Sequence, residues 1–120
     1  MRVVIADDHA FVRRGIRATL EERQGWVVCG EATNGQEAVD LALELHPDLV
    51  VLDISMSVMN GFQASKTIRH LLPETKIIIL SIYDSPNAQR EALRVGANAY
   101  VNKASEPSKL YHAIESLGLK

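Results

Sequence analysis

Five short apolar runs set the limits on what this chain can fold into: Val3 to Ala6, Trp26 to Cys29, Leu49 to Leu52, Ile77 to Leu80 and Ala99 to Val101, each followed by a polar or glycine-bearing turn. Most of them are rich in valine and isoleucine and unbroken rather than alternating. A strand built from such a run presents apolar side chains on both faces, so both faces need cover from water. A hairpin sheet with one wet face would alternate polar and apolar residues, and the runs argue against it.

The cover lies between the runs. From about Ala10 to Glu22, Val12, Ile16 and Leu20 recur at four-residue spacing while Arg13, Arg14 and Arg17 take other faces. Asn34 is a good N-cap with Glu37 three residues on; Ala38, Leu41, Ala42 and Leu45 follow at helical spacing until His46-Pro47 stops the helix. A third helix is predicted from about Gly61 to Leu72, ended by Pro73. The fourth is predicted to start near Asp84-Ser85-Pro86, where proline suits a first turn, and to end at Gly96, which tolerates a left-handed C-cap conformation. The last opens at Ser105-Glu106-Pro107 and carries Leu110, Ile114 and Leu117 ahead of Gly118.

Strand and helix thus alternate about five times, the pattern of an α/β doubly wound parallel sheet, in which about 98% of crossovers are right-handed. The flavodoxin-like strand order 2-1-3-4-5 is the natural expectation, with the site at the switch point between the first and third strands. A length of 120 residues fits one domain over 1–120, and 47% hydrophobic with 23% charged residues is an ordinary globular composition. No apolar run approaches the roughly 18 residues of a membrane span, and Met1 leads into no cleavable signal pattern. A cytoplasmic location without membrane contact is therefore expected. Cys29 is the only cysteine, which excludes an internal disulfide. A net charge of -2 and a pI near 6.1 lack the basic footprint of direct nucleic-acid binding.

All carboxyl ends of a parallel sheet share one edge, so the residues after strands one, three, four and five become neighbours. Those residues are Asp7-Asp8, Asp53, Ser81 and Lys103, with Asp53 expected between the acids and the Ser81/Lys103 pair. Carboxylates packed together repel, and burying each one unpaired would cost roughly several kcal/mol. Oxygen ligands with room for water favour magnesium, or manganese in its place, over zinc, which prefers His and Cys. His9, His46, His70 and His112 are scattered over different elements without ligand spacing. With its charge offset, a carboxylate can act as a nucleophile toward phosphorus and form an acyl phosphate. A cation bridging Asp8, Asp53 and one phosphoryl oxygen, the Lys103 ammonium on a second and the Ser81 hydroxyl on the third would supply the positioning and charge that phosphoryl transfer chiefly needs.

The same residues resemble a known family. Ile5-Ala6-Asp7-Asp8-His9, the stretch Val50-Val51-Leu52-Asp53-Ile54-Ser55-Met56, Met59-Asn60-Gly61, Leu80-Ser81, Gly96-Ala97 and Tyr100-Val101-Asn102-Lys103 are similar to bacterial response-regulator receivers, whose fold is CheY-like. The similarity covers essentially the whole chain. The Asp-Asp-His opening and the Gly-Ala-x-x-Tyr-x-x-Lys close look most like the NarL/FixJ subfamily, whose members usually carry a LuxR-type helix-turn-helix output domain. The resemblance implies that Asp53 is the phosphoacceptor and that Asp7 and Asp8 hold magnesium together with Asp53 and the backbone carbonyl of Ser55. It makes Ser81 and Lys103 the phosphoryl-sensing residues and Tyr100 an aromatic switch that turns inward when Ser81 moves toward the phosphoryl group. The helix after Asp84, strand five and the final helix would then form the output surface. Implied partners are a sensor histidine kinase and a DNA-binding domain beyond Lys120, with a homodimer as a further possibility. The alternative is a stand-alone receiver that acts by binding another protein.

Two positions depart from the pattern. Ser57 stands where many receivers have proline, which returns a backbone N–H and frees the loop beside Asp53. Ala104 rather than proline follows Lys103, and since a cis peptide there would cost about 3–4 kcal/mol, its isomer is left open. Readings from other classes fit less well. A phosphatase of the haloacid dehalogenase type needs a general acid two residues after its nucleophile, where this chain has Ser55, so at most slow self-dephosphorylation is expected. A flavodoxin-like cofactor binder needs a phosphate cradle after strand one, where Asp7-Asp8 would repel the ligand.

Overall fold

The computed structural model describes residues 1–82, 85–104 and 107–119. The predicted helix-opening residues Asp84, Ser105 and Glu106, and Lys120 at the end of the chain, lie outside the described residues. Strands and helices alternate as β1 (Arg2–Ala6), α1 (Ala10–Glu21), β2 (Val27–Ala32), α2 (Gly35–Leu45), β3 (Leu49–Leu52), α3 (Gly61–Leu71), β4 (Lys76–Ser81), α4 (Pro86–Arg94), β5 (Ala99–Asn102) and α5 (Pro107–Ser116). The strands form one parallel sheet in the expected order, β2-β1-β3-β4-β5.

Period-two alternation sorts each strand between two cores. Val4, Ala6, Val50, Leu52, Ile77 and Ile79 face α2, α3 and α4, where Ala38, Ala42, Ala64, Ile68 and Ala92 are buried. Val3, Ile5, Leu49, Val51, Ile78 and Leu80 face α1 and α5, meeting Leu20, Leu110 and Ile114. That two-sided burial is why the central runs are unbroken. The edge strand β2 differs from its sequence reading: it extends through Gly30 and Glu31 to Ala32, and Trp26 precedes it. An edge strand is covered less completely, so its hydrophobic run could break without ending the strand.

Local signals fix the helix ends. The Asn34 side chain accepts from the Glu37 N–H, but Glu37 turns its carboxylate to Thr33 rather than closing a capping box. The reciprocal box forms instead on α3, between Asn60 and Gln63. Ser85 accepts from the Ala88 N–H with Pro86 in the first turn of α4. That helix closes with Gly96 at φ +92, its N–H on the Leu93 carbonyl and the Ala97 N–H on the Ala92 carbonyl. The helix α5 ends at Ser116, so Leu117 packs on the core from the turn beyond it. No cis peptide occurs among the described residues, so the Lys103–Ala104 bond is trans.

Candidate functional site

The sheet ladder carries the chemically important residues to one edge. The Asp53 N–H donates to the Ala6 carbonyl at 3.0 Å, the Asp7 N–H to Ala32 at 3.1 Å and the Lys103 N–H to Ser81 at 2.8 Å. Each residue thus extends the backbone pairing just past its strand. Asp7 and Asp53 are nearly closed off, at 1% and 8% exposure, and Ser81, the last residue of β4, is buried at 1%. Asp8 is exposed. The Lys103 ammonium hydrogen-bonds Asp7 and lies 3.1 Å from Asp53 Oδ1. It therefore spans both acids, reaching past β4 and β3 to Asp7, with Asp53 on the way as its place between the acids and Lys103 implies.

Burial and like charge act together here. Burial pushes the Asp53 carboxyl above its ordinary value, the negative charges of Asp7 and Asp8 add to that, and Lys103 offsets only part of it. Burial also works to raise Asp7, but hydrogen bonds from Lys103 and from the His9 N–H outweigh it and hold Asp7 below the usual carboxylate range. For Lys103, desolvation is overcome by its bonds to the two acids, and its pKa is raised.

His9 is the exposed N-cap residue of α1 and lies against its two acidic neighbours. Its N–H donates to Asp7 Oδ1 at 2.9 Å, and its ring Nδ1 lies 2.9 Å from Asp8 Oδ1 and 3.3 Å from Asp7 Oδ1. Ligand atoms of Asp7, Asp8 and His9 fall within 4.8 Å of one another, close enough to share a cation. The turn into α1 folds the ring back over its two neighbours. Arg13 also donates to the Asp7 carbonyl at 2.7 Å and pairs with Glu31, tying α1 to this corner.

The residues present fit a hard divalent cation. Among the described residues the Lys103 ammonium is shared by Asp7 and Asp53, and the charges of Asp7 and Asp8 still push the Asp53 carboxyl upward, so the acidic oxygens of this corner suit a hard cation. Ser55 stands exposed in the loop two residues past Asp53. Tyr100 is half-buried on β5, packed against the core beneath α2–α4, and borders a groove of about 720 Å³ shared with Asn102, Ser108 and His112. Phe11, Val58 and Ile82, each in a segment that follows a strand, are exposed apolar side chains. None of the three was singled out from the sequence, since isolated exposed apolar residues carry no periodic signal.

Residues 3–115 match the family described as the response regulator receiver domain. The chain is 43% identical over 110 residues to the uncharacterized transcriptional regulatory protein YhcZ of Bacillus subtilis, covering 92% of this chain and 51% of that protein. It is 40% identical to the chemotaxis protein CheY of Thermotoga maritima, covering 97% of this chain and 96% of CheY. The crystal structure of a LuxR-family two-component response regulator from Aurantimonas sp. superposes with a TM-score of 0.93 at 35% identity, covering 99% of this chain and 86% of that one. The chain spans about half the length of the curated transcriptional regulators it matches. No helix among the described residues is long and apolar enough to cross a membrane.

Proposed function

Because this chain belongs to the response regulator receiver family, with relatives among NarL/LuxR-type transcriptional regulators, we propose that Asp53 accepts a phosphoryl group from the phospho-histidine of a sensor kinase. The observation that carries this reading is the Lys103 ammonium lodged between the buried carboxylates of Asp7 and Asp53. It offsets charge where an incoming phosphoryl group would add more.

In the proposed transfer an Asp53 carboxylate oxygen attacks phosphorus as the phosphorus–nitrogen bond breaks. The electron pair stays on the donor imidazole, which takes up a proton. Asp7, Asp8, Asp53 and the Ser55 carbonyl would hold magnesium or manganese, which supplies Lewis-acid neutralisation of phosphoryl oxygens. Lys103 takes one of those oxygens as a point charge, and the Ser81 hydroxyl donates to another. The domain acts as a switch rather than an enzyme, with slow self-dephosphorylation at most. Movement of Ser81 and inward rotation of Tyr100 would alter the face formed by α4, β5 and α5 and pass the signal to a C-terminal DNA-binding domain, in a cytoplasmic protein that can pair as a homodimer.

Incubation with acetyl phosphate and Mg2+, followed by intact mass, tests the acceptor. One phosphoryl group is expected on the wild type and none on Asp53→Asn; label on both or on neither rejects the assignment. The match to Thermotoga maritima CheY over almost its whole length favours a second reading, a receiver that stands alone. The coding sequence after codon 120 distinguishes the two.

A further inference from the structure

The loop from Asp53 to α3 is held by a glycine of another element. Its outbound leg is tied by the Met56 N–H on the Ile54 carbonyl at 3.1 Å, and its return by the Gly61 N–H on the same carbonyl at 2.9 Å. Gly61 rests so closely on the backbone just past β3 that a Cβ there would stand 2.1 Å from the Asp53 carbonyl oxygen. Between these ties lies Val58, a β-branched residue at φ +67. Its side chain is exposed, so its own packing does not hold that conformation. Such backbone persists where its surroundings over-determine it.

The second anchor comes from α2. The Gly35 N–H donates to the Met59 carbonyl at 3.0 Å. A Cβ on Gly35 would meet that oxygen at 2.0 Å and its carbon at 2.7 Å, so any side chain there displaces backbone. Gly30 offers a contrast: the nearest atom to its Cβ is the Leu45 side-chain tip at 3.1 Å, which can give.

We propose that Gly35 is a positioning residue for the phosphoacceptor site. From α2 it clamps the Met59 carbonyl and so keeps the Ser55 carbonyl in register with Asp53 for the cation. This rests on the reading of Asp53 given above. The test compares the whole chain as wild type, Gly35→Ala and Gly30→Ala, measuring Mg2+ binding by titration calorimetry and the Mg2+ dependence of labelling by acetyl phosphate. Gly35→Ala is expected to weaken Mg2+ binding and raise the half-saturating Mg2+ by roughly tenfold, as for other supports of metal ligands, while Gly30→Ala leaves both unchanged. A purely structural role lowers the fraction of protein labelled without moving the half-saturation; that pattern, or behaviour like the wild type, overturns the proposal. Should Gly35→Ala not fold, amide shifts of the wild type decide. The Gly35 N–H is expected to move with residues 54–60 at one common Mg2+ half-saturation, and a silent Gly35 N–H overturns the clamp. Wild type that binds no Mg2+ and takes no phosphate removes the functional reading itself and the clamp with it; wild type that does both, beside an equally competent Gly35→Ala, removes the clamp alone.

Discussion

Asp53 is crowded by the charges that make it useful. Its pKa is raised by burial, then by Asp7 and Asp8. A carboxyl raised in the folded state contributes stability below its unfolded pKa and loses it as pH climbs through the folded value. Asp53→Asn is therefore expected to stabilise the cation-free protein near neutral pH. The gain should vanish in the acid range, where the wild-type carboxyl is itself neutral; urea midpoints at the two pH values check it. Asp7 has the opposite sign: its lowered pKa gives stability present above the ordinary carboxylate value and lost as pH falls through the lowered one. Lys103→Met, which strips Asp7 of its buried partner, is expected to cost about 3–5 kcal/mol by urea unfolding, with part regained in Mg2+. Val58→Gly should gain about 1–2 kcal/mol by relieving a left-handed valine. The convergence of Asp7, Asp53, Ser81 and Lys103 at one edge was legible because strand ends are marked by apolar runs. The reach of Lys103 to Asp7 and the fold-back of His9 were not, since both depend on side-chain length and turn geometry rather than spacing.

At the scale of elements, Arg69 of α3 joins loops that are distant in sequence. Its guanidinium donates to the carbonyls of Gly96, Pro73 and Thr75 and to Asn98 Oδ1, the same oxygen that accepts from the Ile77 N–H. Lysine cannot present that fork. Arg69→Lys is expected to lose about 2 kcal/mol, close to the loss for Arg69→Ala, with faster hydrogen exchange at the Ile77 amide as the local readout. Helices were legible where a cap and a periodic stripe agreed, as for α2. The edge strand β2 was shortened in the sequence reading by Gly30 and Glu31, because the Glu31 carboxylate is paired with Arg13 and Arg17 only once α1 has packed. The Asn60-x-x-Gln63 spacing stands in the sequence, but the same spacing at Asn34 and Glu37 closes no box, so only the folded loop decides where one forms.

Across the whole molecule, the order β2-β1-β3-β4-β5 places β3 at the centre, so charge at Asp53 is felt by both flanks of the sheet. A cation that binds the folded state alone should stabilise it by about 2.7 kcal/mol at roughly 100 times its dissociation constant. Thermal unfolding with and without Mg2+, in wild type and in Asp8→Ala, is expected to show that gain only in the wild type. Strand order was an expectation from the fold class that alternating strands and helices suggest, and right-handed crossovers then divide the helices, α2, α3 and α4 on one face and α1 and α5 on the other. At the far end of the sheet from Asp53, Arg23 stacks over Trp26 and Tyr111 at 5.1 and 4.3 Å, joining α1 and β2 to α5. Trp26 is the only tryptophan in the chain. Its indole emission is thus an unlabelled optical gauge of how α5 is seated, and a change in that light when Asp53 is modified would mark a disturbance that has crossed the sheet from one edge to the other.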